Sequence, residues 1–163
     1  SWRLSVDLTW AQWSRYPTPT SEVEIGLDLP GLPLDLPPPA IPLPPDFHDI
    51  FIPRVGAEVL VWTGPWLTLH ARAGYAYEPT PVPNQRGRTN YIDCDKHTFA
   101  TGLGFMFHGM EALLPQPLEL DLAFQAVHLP ERVTHKADPA DLIGDYRAGG
   151  VWLGGSATIR LVF

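Results

Sequence analysis

Cysteine is nearly absent: Cys94 is the only one among 163 residues. A lone thiol cannot build an internal disulfide framework or a Cys-based zinc site, because both need at least a pair. Cys94 is therefore expected as an unpaired thiol at the surface of a loop, or as a partner to something upstream. Basic side chains are also scarce, 11 Lys and Arg against 18 Asp and Glu for a net charge of −7. None of them forms a run, so the phosphate-binding stripe of a nucleic-acid partner is missing. Long apolar stretches are missing too. The longest is about six residues, against the roughly 20 that a membrane-spanning helix requires. A helical membrane protein is excluded, while a membrane strand is not. No initiator Met, basic n-region or apolar h-region opens the chain, so no targeting peptide is visible. It begins in strand-like alternation, Ser1-Trp2-Arg3-Leu4-Ser5-Val6, and is read as the C-terminal part of something longer.

Proline and glycine are abundant, 19 and 14 residues. They punctuate six segments that alternate apolar and polar residues with a period of two. The segments run from Trp2 to Trp13, Ile52 to Trp62, Trp66 to Glu78, His97 to His108, Leu118 to Leu129 and Val151 to Phe163. The fold class is all-β and antiparallel. Each segment has about 10 to 13 residues, which is long for a soluble sheet and at least the 9–11 that a tilted strand needs to cross a bilayer.

Sorting by parity separates two faces. Leu4, Val6, Leu8, Val55, Val59, Leu67, Leu69, Tyr75, Phe99, Leu103, Leu120, Leu122, Leu153 and Ile159 fall on one, which carries no charge. Arg3, Asp7, Arg54, Glu58, Arg72, Glu78, Glu119, Asp121 and Arg160 fall on the other. A soluble sandwich would alternate in the same way, and a soluble or secreted sandwich acting as a binding module is the competing expectation. Three features favour a transmembrane barrel. Aromatic residues sit at segment ends, as Trp10 with Trp13 and Phe105 with Phe107. Long and short connections alternate, including the tight Thr63-Gly64-Pro65. The last segment ends on Phe163. Six strands cannot close a barrel, because the smallest have eight and an open edge in lipid leaves backbone groups unpaired. Further strands are therefore expected before Ser1, with the long connections on the outer surface.

The run Arg72-Ala73-Gly74-Tyr75-Ala76-Tyr77-Glu78-Pro79-Thr80-Pro81-Val82-Pro83, followed by Asp93-Cys94-Asp95-Lys96-His97, resembles the FadL/TodX family of outer-membrane transporters for long-chain fatty acids and other hydrophobic compounds. Asp46-Phe47-His48-Asp49, the Thr9-Trp10 pair and the stretch from Gly150 to Phe163 are similar to corresponding parts of that family. The resemblance implies a 14-stranded barrel plugged by an N-terminal hatch, of which residues 1–163 are the last six strands. It implies passive transport through a bacterial outer membrane, with no enzyme activity and no cofactor. Hydrophobic small molecules, fatty acids foremost, would be the cargo. Outer-membrane lipid would be a partner, as would the barrel-assembly machinery acting on the strand that ends at Phe163. Two features depart from the family pattern. Lys96 stands where the family usually has Arg, which keeps the charge but not a bidentate grip on a carboxylate. The Pro- and Leu-rich stretch from Gly31 to Pro45 has no counterpart, and is expected as an extended loop insertion that either gathers greasy substrate or acts as a stiff spacer.

A carboxylate entering an apolar lumen needs a cationic partner. Lys96 and Arg72 are the candidates, and the resemblance places a basic residue near the ligand at the Lys96 position. The alternative is that both belong to a luminal charge network with Arg54, Glu58, Glu78, Glu119, Asp121 and Arg160. The six histidines show no spacing suited to a metal. Gly154-Gly155-Ser156 lacks the strand-to-helix elbow of a nucleophile, which leaves an outer-membrane lipid hydrolase as a minor alternative. Asp93 and Asp95 are expected either to cap a turn or to contact Lys96 or Arg72 and set the loop's geometry.

Overall fold

A computed structural model describes residues 1–17, 45–84, 89–109, 116–136 and 143–161. It contains six strands: β1 (Trp2–Ala11), β2 (Ile50–Thr63), β3 (Leu67–Glu78), β4 (Lys96–Phe107), β5 (Leu118–Thr134) and β6 (Tyr146–Arg160). They pair in chain order, each antiparallel to the next, as one open sheet. The other regular element among the described residues is one 3-10 turn, Trp13–Arg15, so β1 stops two residues short of the expected Trp13.

The period-two pattern survives folding because every register keeps like parity opposite like parity. One row across the sheet reads Val6, Val55, Tyr75, Phe99, Ala126, Leu153, and another reads Trp2, Val59, Ala71, Leu103, Leu122, Ala157. On the opposite face a row reads Arg3, Glu58, Arg72, Gly102, Ala123, Ser156. A bulge between Leu60 and Trp62 keeps Trp62 on the apolar face opposite Leu69.

Among the described residues nothing packs on the apolar face. Leu8 is 65% exposed and Val6 73%. A sandwich would need a second layer meeting those side chains, and the described residues form one layer only. Among the described residues the buried side chains include Ile50, Ile52, Val82 and Cys94, with Thr134 beside them in burial. All five lie at the end of the sheet that carries the long connections, here the loop end; the turn through Gly64 marks the opposite, turn end.

Three expectations need correction. β5 continues five residues past Leu129 and β6 begins five before Val151, so that only residues 135–145 join them. Pro130 looks like a terminator because it has no N–H for the ladder. A bulge between Leu129 and Arg132 absorbs it, and pairing resumes with Arg132 opposite Ala148. β4 opens on Lys96 itself, one residue early. Cys94 is not a surface thiol: it lies within the β3–β4 connection and is 3% exposed. Of the Pro-rich stretch from Gly31 to Pro45, residues 31–44 lie outside the described residues, as does Phe163.

Candidate functional site

The charged face is organised around Arg72, at the middle of β3. Its Nε donates to Glu58 Oε2 on β2 at 2.7 Å, and its guanidinium also donates to Asp121 on β5. To reach Asp121, the side chain must cross β4. Gly104 makes that crossing possible, since a Cβ there would stand 2.9 Å from Asp121 Oδ1 and 3.3 Å from an Arg72 nitrogen. Arg3 approaches Glu58 at 4.0 Å, and His70 Nδ1 lies 3.9 Å from the same carboxylate. Toward the loop end, Arg54 donates to Asp7 and to Thr9, each at 2.7 Å. Toward the turn end, Arg160 donates to Glu119 at 2.9 Å. Of the charges expected in the network, Arg54, Glu58, Arg72, Glu119, Asp121 and Arg160 therefore have opposite partners on their own face.

Lys96 belongs to a separate cluster at the loop end. Its Nζ donates to Glu78 Oε1 at 2.9 Å and lies 3.3 Å from Asp93 Oδ1. Arg72 stands six residues before Glu78 on β3, so the two candidate cations are roughly 20 Å apart along the strand and do not form one site. Of the two readings of Asp93 and Asp95, the first residue does contact Lys96. Asp95 instead staples the loop, accepting from Thr80 N at 2.8 Å and Tyr77 Oη at 3.0 Å.

Sequence reasoning missed Arg132. One guanidinium nitrogen donates to Val82 O at 2.8 Å, and the other to Asp93 O at 3.3 Å and Thr80 Oγ1 at 3.4 Å. It is a strut from β5 into the β3–β4 connection, over Cys94. The available signal was the alternation Arg132-Val133-Thr134 resuming after Pro130. Burial raises the pKa of the Cys94 thiol, with Asp93 adding to the effect. Alongside lies a cleft of about 680 Å³ bordered by His48, Tyr77, Pro79, Asp95 and Arg132. Rings also join the loops at this end: Trp13 meets Phe47 edge-on at 6.2 Å, and Phe47 meets Tyr91 at 5.1 Å.

On the apolar face, rings gather toward both ends. Near the loop end are Trp10 stacked with Phe51 at 6.3 Å, and a chain of ring contacts from Tyr77 to His97, Tyr75 and Phe99. Near the turn end Phe105 and Phe107 stack at 6.4 Å, with Trp62 in the same zone. Among the described residues no group of three or more His, Cys, Asp or Glu could hold a metal ion, and no helix is long and apolar enough to cross a membrane.

The polar face also has an uncharged sector that parity sorting did not isolate. Over β4, β5 and β6 it presents Ala100, Ala123, Gln125, Gly154 and Ser156 beside Trp152, around a concavity of about 270 Å³. Trp152 shares its row with Val127, Thr98, Ala76, Arg54 and Asp7. Flanked by Val151 and Leu153 in the sequence, it gives no local sign of its face.

Comparison with known proteins identifies no relative: no family model matches the chain. No curated protein matches it, and no solved structure does.

Proposed function

We propose that these strands form part of a closed β-barrel in a bacterial outer membrane, and that the barrel passes hydrophobic compounds, long-chain fatty acids foremost, without covalent chemistry. The supporting observation is the uncharged, uncovered face that runs without interruption across six strands between two zones of rings. From the row of Leu67 and Phe107 to that of Tyr77 and His97, ten residues of β3 span about 33 Å of strand. At the usual barrel tilt of ~40° that is a height of about 25 Å, the apolar band of an outer-membrane barrel. The charged face would line the bore, where ion pairs such as Arg72 with Glu58 and Asp121 meet water rather than hydrocarbon. The free edges of β1 and β6 would each leave backbone groups unpaired in lipid at several kcal/mol per group. Further strands would close the barrel, and the family resemblance implies fourteen in all, eight of them beyond these six, with a hatch. A passive pore would need only a graded path of contacts.

Detergent dependence tests this reading. The full chain is expected to stay folded only in detergent or lipid, and to change its gel mobility on heating. A folded monomer recovered from plain buffer overturns the proposal. Within the proposal, Lys96 would hold a fatty-acid carboxylate by exchanging one of its two acidic partners. Lys96→Ala is then expected to weaken fatty-acid binding about tenfold, the scale of a charge-assisted hydrogen bond, and to leave dodecane binding unchanged. Equal loss for both ligands rejects the carboxylate role.

A further inference from the structure

We infer that the uncharged concavity beside Trp152 is a binding site for a flat apolar ring, an inference that rests on the reading of the charged face as the lining of a bore. A Cβ on Gly154 would stand 2.4 Å from Trp152 Cη2 and 3.0 Å from both Cζ2 and Cζ3. The six-membered ring of the indole therefore lies over the glycine, a position that any side chain at 154 would occupy. Its other face is bare: Trp152 is 55% exposed. Among the described residues it stacks on no other ring, and its indole N–H has no hydrogen-bond partner.

The surroundings favour an uncharged occupant. Ala100 and Ala123 floor the concavity, and Gln125 and Ser156 are its polar groups. The nearest described ion pair on this face is Arg72 with Asp121: Arg72 shares the row of Ala123 and Ser156 but stands on β3, Asp121 lies one row toward the turn end, and the two charges are joined to each other. A large ring left open on a wall otherwise laced with ion pairs gains by covering its free face with a second ring, offset-stacked. No charged group lines the concavity to bind an anion or a cation, which makes an uncharged two-ring hydrocarbon a suitable probe. An aromatic residue over a strand glycine also shields backbone, so the test must read occupancy and not stability.

Ser156 supplies a reporter at the rim. In the full chain in nanodiscs, S156C is labelled with a water-soluble maleimide, and the rate for the parent protein, in which Cys94 is buried, is subtracted. Naphthalene is expected to slow labelling of S156C. Trp152→Ala should weaken that protection about threefold to tenfold in naphthalene concentration, the range expected for an aromatic pair, while Trp152→Phe should retain most of it. Labelling that naphthalene does not slow, or slows equally in S156C with Trp152→Ala, overturns the site and leaves the bore intact. Dodecane protecting as well as naphthalene overturns its assignment to a flat ring. If S156C reacts only after unfolding, the charged face does not line a water-filled bore, and the function proposed above falls with the site.

Discussion

Arg132 and Cys94 show how one misjudged residue hides another. Pro130 masks the continuation of β5, so Arg132 appears to lie in a loop and Cys94 beneath it appears exposed. In the fold, the guanidinium ties Val82 O and Asp93 O together above the thiol. With 3% exposure and a raised pKa, Cys94 has little thiolate near neutrality. Maleimide labelling at pH 8 is expected to run at least about tenfold slower in the folded protein than in urea. Arg132→Ala should restore much of that rate by releasing the β3–β4 connection; unchanged protection would deny Arg132 its role as a strut. Leu122 and Ala123 offer a second test at this scale, because consecutive residues look to opposite faces. Leu122→Arg is expected to cost about 2–4 kcal/mol of folding stability in lipid, and Ala123→Arg about 1 kcal/mol or less. Refolding titrations in lipid vesicles measure both, and equal costs would mean that Leu122 does not face hydrocarbon.

At the scale of elements, the strands were legible because alternation is local: Leu4, Val6 and Leu8 declare a face without reference to any partner. Pairing order was legible as well, since tight and long connections alternate. Where β5 ends was not. Whether Pro130 terminates a strand or sits in a bulge depends on the facing strand, and Ala148 and Gly149 carry no signal that pairing resumes. The same applies to Trp152, whose neighbours Val151 and Leu153 are also apolar, so only the register with Val127 assigns its face. The pairs on the charged face were readable as a set but not as partners. Arg72 reaches Asp121 across β4 through the space at Gly104, which no spacing rule encodes.

The connection between β5 and β6 carries its own electrostatic clasp. Asp145 accepts from His135 Nδ1 and from the Lys136 N–H, both at 2.7 Å. The His135 hydrogen bond chiefly, then that of Lys136, holds the Asp145 carboxyl below its usual range. A depressed carboxylate pKa stabilises the folded form above the unfolded pKa, and that contribution is lost as pH falls through the folded value. Amide exchange at Lys136 and its described neighbours, corrected for its intrinsic pH dependence, should therefore accelerate below about pH 4. In His135→Ala the onset should move upward in pH, and an onset that does not move would show that His135 is not the cause.

For the whole molecule, the division into two faces decides more than any single site. Among the described residues the single layer buries few apolar side chains, Ile50, Ile52, Val82 and Cys94 among them, and its apolar face calls for either hydrocarbon or a second layer to cover it. Detergent dependence addresses that choice directly, which makes it the first experiment to perform. The pairing scheme has a further consequence. Among these six strands the ladder pairing joins only chain neighbours, so no segment must wait for a distant stretch of chain before it can pair. The hairpin about Gly64, closed by Gly64 N–H to Leu67 O at 2.9 Å, has the shortest loop to order. It could serve as a seed from which the sheet grows by one strand at a time in both directions, leaving an unsaturated margin on each side as a template for the next.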